Sequence, residues 1–223
     1  MTTAGSKRLK LGVLISGRGS NLQALLDAAA AAAFPAEVAL VLSNRADAYG
    51  LERAAKAGVE SAVIDHKPFK GDRPAFEAAM DARLRQSGVE LVCLAGFMRL
   101  LSPWFVNQWR DRMINIHPSL LPSFKGLDTH QRVLDAGGRL HGCTVHYVRA
   151  EMDDGPIIAQ AAVPVLDGDD ADALAHRVLA QEHAIYPLAV RLIAEGRARV
   201  DGERVRIDGD SQNPAAALVS PAG

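Results

Sequence analysis

Apolar segments of strand length recur along this chain, and between them the apolar spacing switches to that of a helix. Leu9 to Ile15 (L-K-L-G-V-L-I) is the first such run, and it closes on Ser16-Gly17-Arg18-Gly19-Ser20. From Asn21 onward, Leu22, Leu25 and Leu26 fall at helical spacing in Ala-rich sequence. Val38 to Leu42 predicts a second strand, Ala48 to Ala57 a second helix stopped by Gly58, and Ser61 to Ile64 a third strand. Asp72 to Gln86 predicts a helix stopped by Gly88, followed by strands at Val89 to Ala95 and Met113 to Ile116. Strands alternating with helices of this length form βαβ units and a parallel sheet. Such strands are covered on both faces, so they read as apolar runs rather than alternating ones.

The second half changes character. In Gly142 to Val148, Thr144 and His146 alternate with Val145 and Tyr147, and after a polar turn at Glu151 to Gly155 comes Pro156 to Val165. This pair is expected to be antiparallel, at the edge of the sheet. Ala171 to Glu195 predicts a long helix that Pro187 kinks or breaks. Val200 to Val205 predicts a short hairpin around Asp201-Gly202. The expected fold class is therefore α/β, a single Rossmann-like domain over residues 9–207. It has a mostly parallel twisted sheet, helices on both faces and an antiparallel edge hairpin in its C-terminal half. Residues 1–8 are small, polar and basic, and residues 208–223 are rich in Pro, Ala and Ser; both stretches are expected to be disordered tails.

At 223 residues the chain suits one large domain, taking ~150 residues as usual. A chain of this size buries roughly 70% of its unfolded surface, so its core needs no disulfide or metal. Lys plus Arg number 25 against 26 for Asp plus Glu, which argues against a general nucleic-acid binder. The two cysteines, Cys93 and Cys143, form no Cys-x-x-Cys pair. Both sit in apolar runs, as small buried hydrophobes do in a reducing compartment. Met1 to Lys10 lacks the apolar core of a signal peptide, and no run approaches the ~20 apolar residues of a membrane span. A soluble cytoplasmic protein with neither membrane nor nucleic acid as partner is expected.

Three segments could carry chemistry. Ser16-Gly17-Arg18-Gly19-Ser20-Asn21 joins the first strand to the first helix, where free N–H groups and the helix dipole favour an anion. Leu22 stands where a dinucleotide fingerprint has its third glycine, and the second strand ends in Asn44-Arg45 rather than an acidic residue. A monophosphate therefore suits the loop better than a pyrophosphate, and a tight turn with no ligand accounts for it equally well. In Asn115-Ile116-His117-Pro118-Ser119-Leu120-Leu121-Pro122, Asn115 and His117 share a strand face at the carboxyl end, where open parallel sheets bind ligands. An amide beside an imidazole can donate two hydrogen bonds to a developing oxyanion, and imidazole moves protons near neutral pH. A histidine capping a strand end competes with that reading.

The third segment sets His146 before the turn Asp153-Asp154-Gly155-Pro156. A carboxylate beside an imidazole orients it, although Asp and Gly are also common turn formers. No Gly-x-Ser-x-Gly elbow supports a serine hydrolase. No histidine pair has tight ligand spacing, and His141 and His146, five apart on one strand, should face opposite sides. No metal is therefore expected. Gly96-Phe97-Met98-Arg99-Leu100-Leu101 lies in the same carboxyl-end layer and could line a flat apolar pocket, with a core-packing loop as the default. Glu182, in Gln181-Glu182-His183, could reach a ribose, though a helix Glu usually faces solvent.

Taken together, these segments resemble the glycinamide ribonucleotide formyltransferase family, the folate-dependent enzymes of purine synthesis. The resemblance rests on Leu14 to Leu22, Leu94 to Arg99, Asn115 to Pro122, Gly142 to His146, Asp153-x-Gly155-Pro156 and Gln181 to His183, and runs from about residue 9 to 207. Asn-x-His-Pro-Ser-Leu-Leu-Pro marks the wider formyl-folate superfamily. The Ser-Gly-x-Gly-Ser-Asn loop narrows it to a ribonucleotide acceptor or to formyltetrahydrofolate deformylase.

The resemblance implies that the amine of glycinamide ribonucleotide attacks the formyl carbon of 10-formyltetrahydrofolate, the co-substrate, with no metal. It gives Asn115, His117 and Asp153 the catalytic roles. Asn115 and protonated His117 bind the tetrahedral oxyanion, while Asp153 keeps His117 charged and helps move the proton from the attacking amine. It places the phosphate on Gly19, Ser20 and Asn21 and the ribose near Glu182. It places the folate among Arg73, Met98, Arg99, Leu100, Leu101 and Asn115, and among Arg149, Ala150, Glu151, Met152 and Asp153. Residues 9–100 then form a nucleotide-phosphate half and 101–207 a formyl-folate half. Monomers and homodimers both fit.

Two positions depart from the family pattern or vary within it. Leu127-Asp128 stands where many relatives carry a small or polar residue, often His, and Arg18 is a variable site that could add an ionic contact. Among rivals, the deformylase usually carries a regulatory domain before its catalytic part, whereas about nine residues precede the first strand here. Methionyl-tRNA formyltransferase shares the Asn-x-His-Pro segment but lacks this phosphate loop and adds a C-terminal domain. A non-catalytic phosphosugar-binding protein would keep the loop but could lose Asn115, His117 or Asp153, and all three are present.

Overall fold

The computed structural model describes residues 7–209 and 218–220. Most of the two expected tails lies outside the described residues. Lys7 and Arg8, assigned to the first tail, are held: Lys7 pairs with Glu90 at 2.7 Å, and Arg8 donates to the carbonyls of Ala29 and Ala36. The chain clusters into two compact units, residues 1–115 and 116–223.

The first unit contains strands β1 (Leu9–Ile15), β2 (Ala36–Ser43), β3 (Ser61–Val63) and β4 (Leu91–Leu94), and the start of β5 (Met113–His117). They form a parallel sheet in the order β3-β2-β1-β4-β5. Leu11, Val13, Leu14 and Ile15 on β1, and Leu40, Val41 and Leu42 on β2, are wholly buried, as strands covered on both faces require. Helix α1 (Ser20–Ala30) sends Leu22, Leu25 and Leu26 into this core. Each such burial contributes roughly 1.5–3 kcal/mol. Helices α2 (Gly50–Lys56) and α3 (Arg73–Gln86) follow, and Asp72 caps α3 by accepting from the Ala75 N–H at 3.0 Å. Helix α4 (Pro103–Gln108) was not expected; its signal is the cap Ser102 followed by Pro103, on a helix too short to show a period.

The second unit carries the end of β5, helix α5 (Thr129–Asp135), and an antiparallel pair, β6 (Leu140–Tyr147) with β7 (Ile157–Pro164). Helix α6 (Ala171–Ala194) and a hairpin of β8 (Ala198–Asp201) and β9 (Arg204–Ile207) complete it. An α/β chain with a mostly parallel sheet and an antiparallel pair in its second half is thus what the structure contains. Pro187 does not break α6. Ile185, Tyr186, Ala189 and Val190 are buried on either side of it, and their packing outweighs the hydrogen bond that a proline removes. Both cysteines are free and buried, and burial pushes the Cys143 thiol up to about 12. No helix among the described residues is long and apolar enough to cross a membrane.

The β6–β7 ladder shifts register between Val145 and His146, so simple alternation does not relate His141 to His146. His141 instead meets His130 of α5, Nε2 to Nδ1, at 3.2 Å. Burial first, then the neighbouring His130 and His117, push His141 down to about 4 from 6.5. An unfolded chain takes up that proton near 6.5 and the folded protein only near 4. Stability given by the neutral ring is therefore complete above the first value and lost as pH falls toward the second.

Two outcomes follow. A Cβ on Gly142 of β6 would lie 1.9 Å from the Ala161 carbonyl oxygen of β7, so Gly142→Ala should lower stability by ~1–3 kcal/mol or more in urea denaturation. An unchanged midpoint would show that the ladder can part there. For His141→Gln, the fall of the urea midpoint between pH 6.5 and about 4 should flatten relative to the parent. Superimposable profiles would remove His141 from the account.

Candidate active site

In the first unit, β1 and β2 run into polar residues, and β4 runs into the segment Gly96 to Leu101. Ser16 is followed by a turn in which Gly19 takes the left-handed region (φ 70°), a conformation that favours glycine. A Cβ there would also sit 2.9 Å from the Cα of Gly50. The loop is held on α2: the Gly50 N–H donates to Gly17 O at 3.1 Å, and Arg53 Nε donates to Arg18 O at 2.9 Å. Gly19 stands at the N-cap of α1 without a side-chain cap, so the first turn of α1, which begins at Ser20 and Asn21, is the end whose dipole favours an anion. Arg18 has an exposed side chain.

Beyond β4, Gly96 to Leu101 forms the second wall. Met98 and Leu100 are 66% and 72% exposed, so this is an apolar ledge and not the core-packing loop taken as the default. Arg99 is exposed too and Leu101 is half-buried. Arg73, at the start of α3, donates to the Leu100 carbonyl and pairs with Glu77 at 3.2 Å. Buried Glu77 also accepts from the Ser102 N–H at 2.7 Å and from its hydroxyl, which braces the ledge from below. His66, Phe69, Arg73, Phe76, Arg99 and Leu100 line a cavity beside it. Asn115, half-buried, is on β5 two residues before His117, and strand alternation gives the two side chains one facing.

In the second unit, β5 extends one residue further than expected, so His117 belongs to the strand. The residue is 5% exposed, and its Nε2 lies 3.1 Å from the Phe124 carbonyl oxygen. A carbonyl can only accept, so Nε2 is the donor in this contact, which leaves Nδ1 as the other ring nitrogen. Nδ1 faces Asp153 Oδ2 at 3.5 Å. That same oxygen accepts the Gly126 N–H at 2.8 Å, while Oδ1 lies 3.8 Å from His146 Nε2. Asp153 itself is in the left-handed region (φ 52°), which Asp tolerates better than most residues. Burial drives His146 below its ordinary value, and its Nδ1 donates to Tyr147 O at 2.9 Å.

The loops around this cluster are tied to one another. Thr144 Oγ1 donates to Ser119 O at 2.7 Å and accepts from the Leu121 N–H at 3.1 Å, which fastens the segment after His117 onto β6. Lys125 pairs with Asp154, so two salt and hydrogen-bond contacts join the 124–128 loop to the turn bearing Asp153. Leu127 is exposed, and Asp128 (φ 55°) starts α5 without a side-chain cap. Gly155 passes so close to β6 that a Cβ would sit 1.7 Å from Tyr147 O. On the same turn Ala150, Glu151 and Met152 are exposed, whereas Arg149 is buried with Nε 3.2 Å from Glu203 Oε2. Glu182 is buried on α6, contrary to the default of a solvated helix face.

The expected residues thus fall into two sets. Gly19, Ser20, Asn21, Arg73, Met98 to Leu101 and Asn115 belong to the first unit; His117, Arg149 to Asp153 and Glu182 belong to the second. Within the second, His117 and Asp153 meet. Phe124 and Gly126, which hold the pair, were not expected, and neither was the Ser16–Asn44 contact at 2.6 Å. The only sequence signals for them are a glycine in a loop and two small polar residues at strand ends.

A family model described as formyl transferase matches residues 9–190. The chain is 45% identical over 202 residues to the phosphoribosylglycinamide formyltransferase of Escherichia coli, covering 91% of this chain and 95% of that protein. It is 50% identical over 201 residues to the trifunctional purine biosynthetic protein adenosine-3 of Bos taurus, covering 90% of this chain but 20% of that protein, so it spans a fifth of that relative's length. Among solved structures, glycinamide ribonucleotide transformylase 1 from Symbiobacterium toebii superposes with a TM-score of 0.87 at 51% identity, covering 92% of this chain and 99% of that one. A formyltetrahydrofolate deformylase from Burkholderia mallei superposes with a TM-score of 0.82 at 28% identity, over 91% of this chain and 70% of that one. A match across residues 9–190 takes in the glycine loop, both walls and the His117–Asp153 pair, and by it the chain belongs to the formyl transferase family.

Proposed function

We propose that this protein transfers the formyl group of 10-formyltetrahydrofolate to the amine of glycinamide ribonucleotide, releasing tetrahydrofolate, as a cytoplasmic enzyme of purine synthesis. The observation that carries the reading is the His117 Nδ1–Asp153 contact at 3.5 Å, in a chain 45% identical to a protein named for this reaction. The deformylase neighbour stands at 28% identity, against 51% for a transformylase, which favours an amine over water as acceptor.

The amine attacks the formyl carbon, a C–N bond forms, and the carbonyl oxygen takes the negative charge. The Asn115 amide donates to that oxygen, and a protonated His117 stabilises it by charge. Because Nε2 is engaged with Phe124 O, the ring keeps its orientation while Nδ1, on the Asp153 side, gains or gives the proton. The attacking nitrogen loses a proton toward Asp153, and N10 of the folate accepts one as its bond to the formyl carbon breaks. The acceptor's phosphate sits on Gly19, Ser20 and Asn21, and its ribose near Glu182. The folate lies against Arg73, Met98, Arg99, Leu100 and Leu101 and along Arg149 to Asp153, where exposed Met and Leu suit a flat apolar ring system. No metal enters this scheme.

The test is tetrahydrofolate release followed by absorbance, with and without glycinamide ribonucleotide. Release that requires the nucleotide is the expected result. Release without it would make water the acceptor and the protein a deformylase. No release in either case would leave a binding protein and overturn the reading.

A further inference from the structure

Ser16, at the end of β1, is 7% exposed, and its hydroxyl makes two bonds to different segments. It donates to Asn44 Oδ1 at the end of β2 at 2.6 Å, and it accepts the Met98 N–H beyond β4 at 2.8 Å. Its own N–H donates to Gly96 O at 3.1 Å. Asn44 is 2% exposed, and its amide nitrogen lies 3.4 Å from Nδ1 of His66, on the wall of the cavity that Arg73 and Leu100 also line. A hydroxyl has one proton to give, and here it is committed to Asn44, while the Met98 N–H occupies an acceptor position. Buried this deeply, neither bond is lost without leaving a polar group unsatisfied.

The placement matters more than the bonds. Ser16 immediately precedes Gly17, where the glycine loop begins, and Met98 opens the exposed apolar ledge. One buried hydroxyl therefore sets the start of both segments. A ligand that shifts either loop acts on the hydroxyl they share, so its effect reaches the segment that the second ligand meets.

We propose that Ser16 is a positioning residue that couples the two substrate sites, so that the phosphosugar amine and the folate each strengthen the binding of the other. This rests on the two-substrate reading above. Ser16 acts through Gly17 and Met98, and the coupling is reciprocal because linked binding equilibria must be.

Titration calorimetry tests it, with glycinamide ribonucleotide and tetrahydrofolate as probes, each titrated alone and against a saturating level of the other. In the parent protein each should tighten the other by the same factor, about fivefold or more. In Ser16→Ala that factor should fall toward one, and both KM values should rise while kcat changes far less. Ser16→Thr, which keeps the hydroxyl, should restore the coupling. Two ligands that bind the parent independently would overturn the inference whatever the variants do. Coupling that persists in Ser16→Ala, or is lost equally in Ser16→Thr, would also overturn it. A parent protein that binds tetrahydrofolate but not the nucleotide would instead overturn the functional reading, and the inference with it.

Discussion

A nearly buried imidazole facing a carboxylate at 3.5 Å is the constraint around which the second unit is arranged. Charge removed from water is unfavourable unless it is paired and hydrogen-bonded. Asp153 meets that requirement through His117 and the Gly126 N–H, and makes both contacts from a left-handed backbone. The surrounding residues follow from this. Phe124 offers a carbonyl to Nε2, Gly126 offers an N–H where its loop turns, and Gly155 lets the turn return against Tyr147 O with no room for a side chain. Thr144 secures the segment that follows His117, and the Lys125–Asp154 pair joins the two loops from outside.

The first unit meets a different constraint. Its strands β1 and β2 are apolar and largely buried, yet the chain turns polar at their carboxyl ends. The transition occurs within one or two residues, from Ile15 to Ser16 and from Leu42 to Ser43 and Asn44, all of them buried. Buried polar groups at such a boundary are tolerable because they bond one another, and those bonds also set the loops beyond. Packing and site geometry are thus specified by the same few residues. The Glu77–Ser102 contact repeats the device beneath the ledge of Met98 to Leu101.

Much of this was legible in the sequence, and the limits have physical causes. The strands of the parallel sheet show as apolar runs, and β5 is identifiable together with the Asn115 and His117 it carries. Helices α5 and α4 were missed because seven and six residues hold no clear period. Helix α6 continues through Pro187 and does not break there, since local propensity gives way to packing on both sides of it. For Glu182 a ribose contact competed with the default of a solvated helix face, and only tertiary context shows that it is buried. The partners of Asp153 and Ser16 were illegible for a simpler reason: Gly126 is 27 positions from Asp153, and Met98 is 82 from Ser16, distances at which no local pattern carries information.

The central claim is that His117 and Asp153 act as one unit, and a double-mutant cycle on acceptor-dependent turnover addresses it most directly. His117→Ala and Asp153→Asn should each lower kcat by orders of magnitude while folate affinity survives, and the double variant should fall no further than the worse single one. Near-normal turnover in either single variant, or losses that multiply in the double variant, would contradict the account.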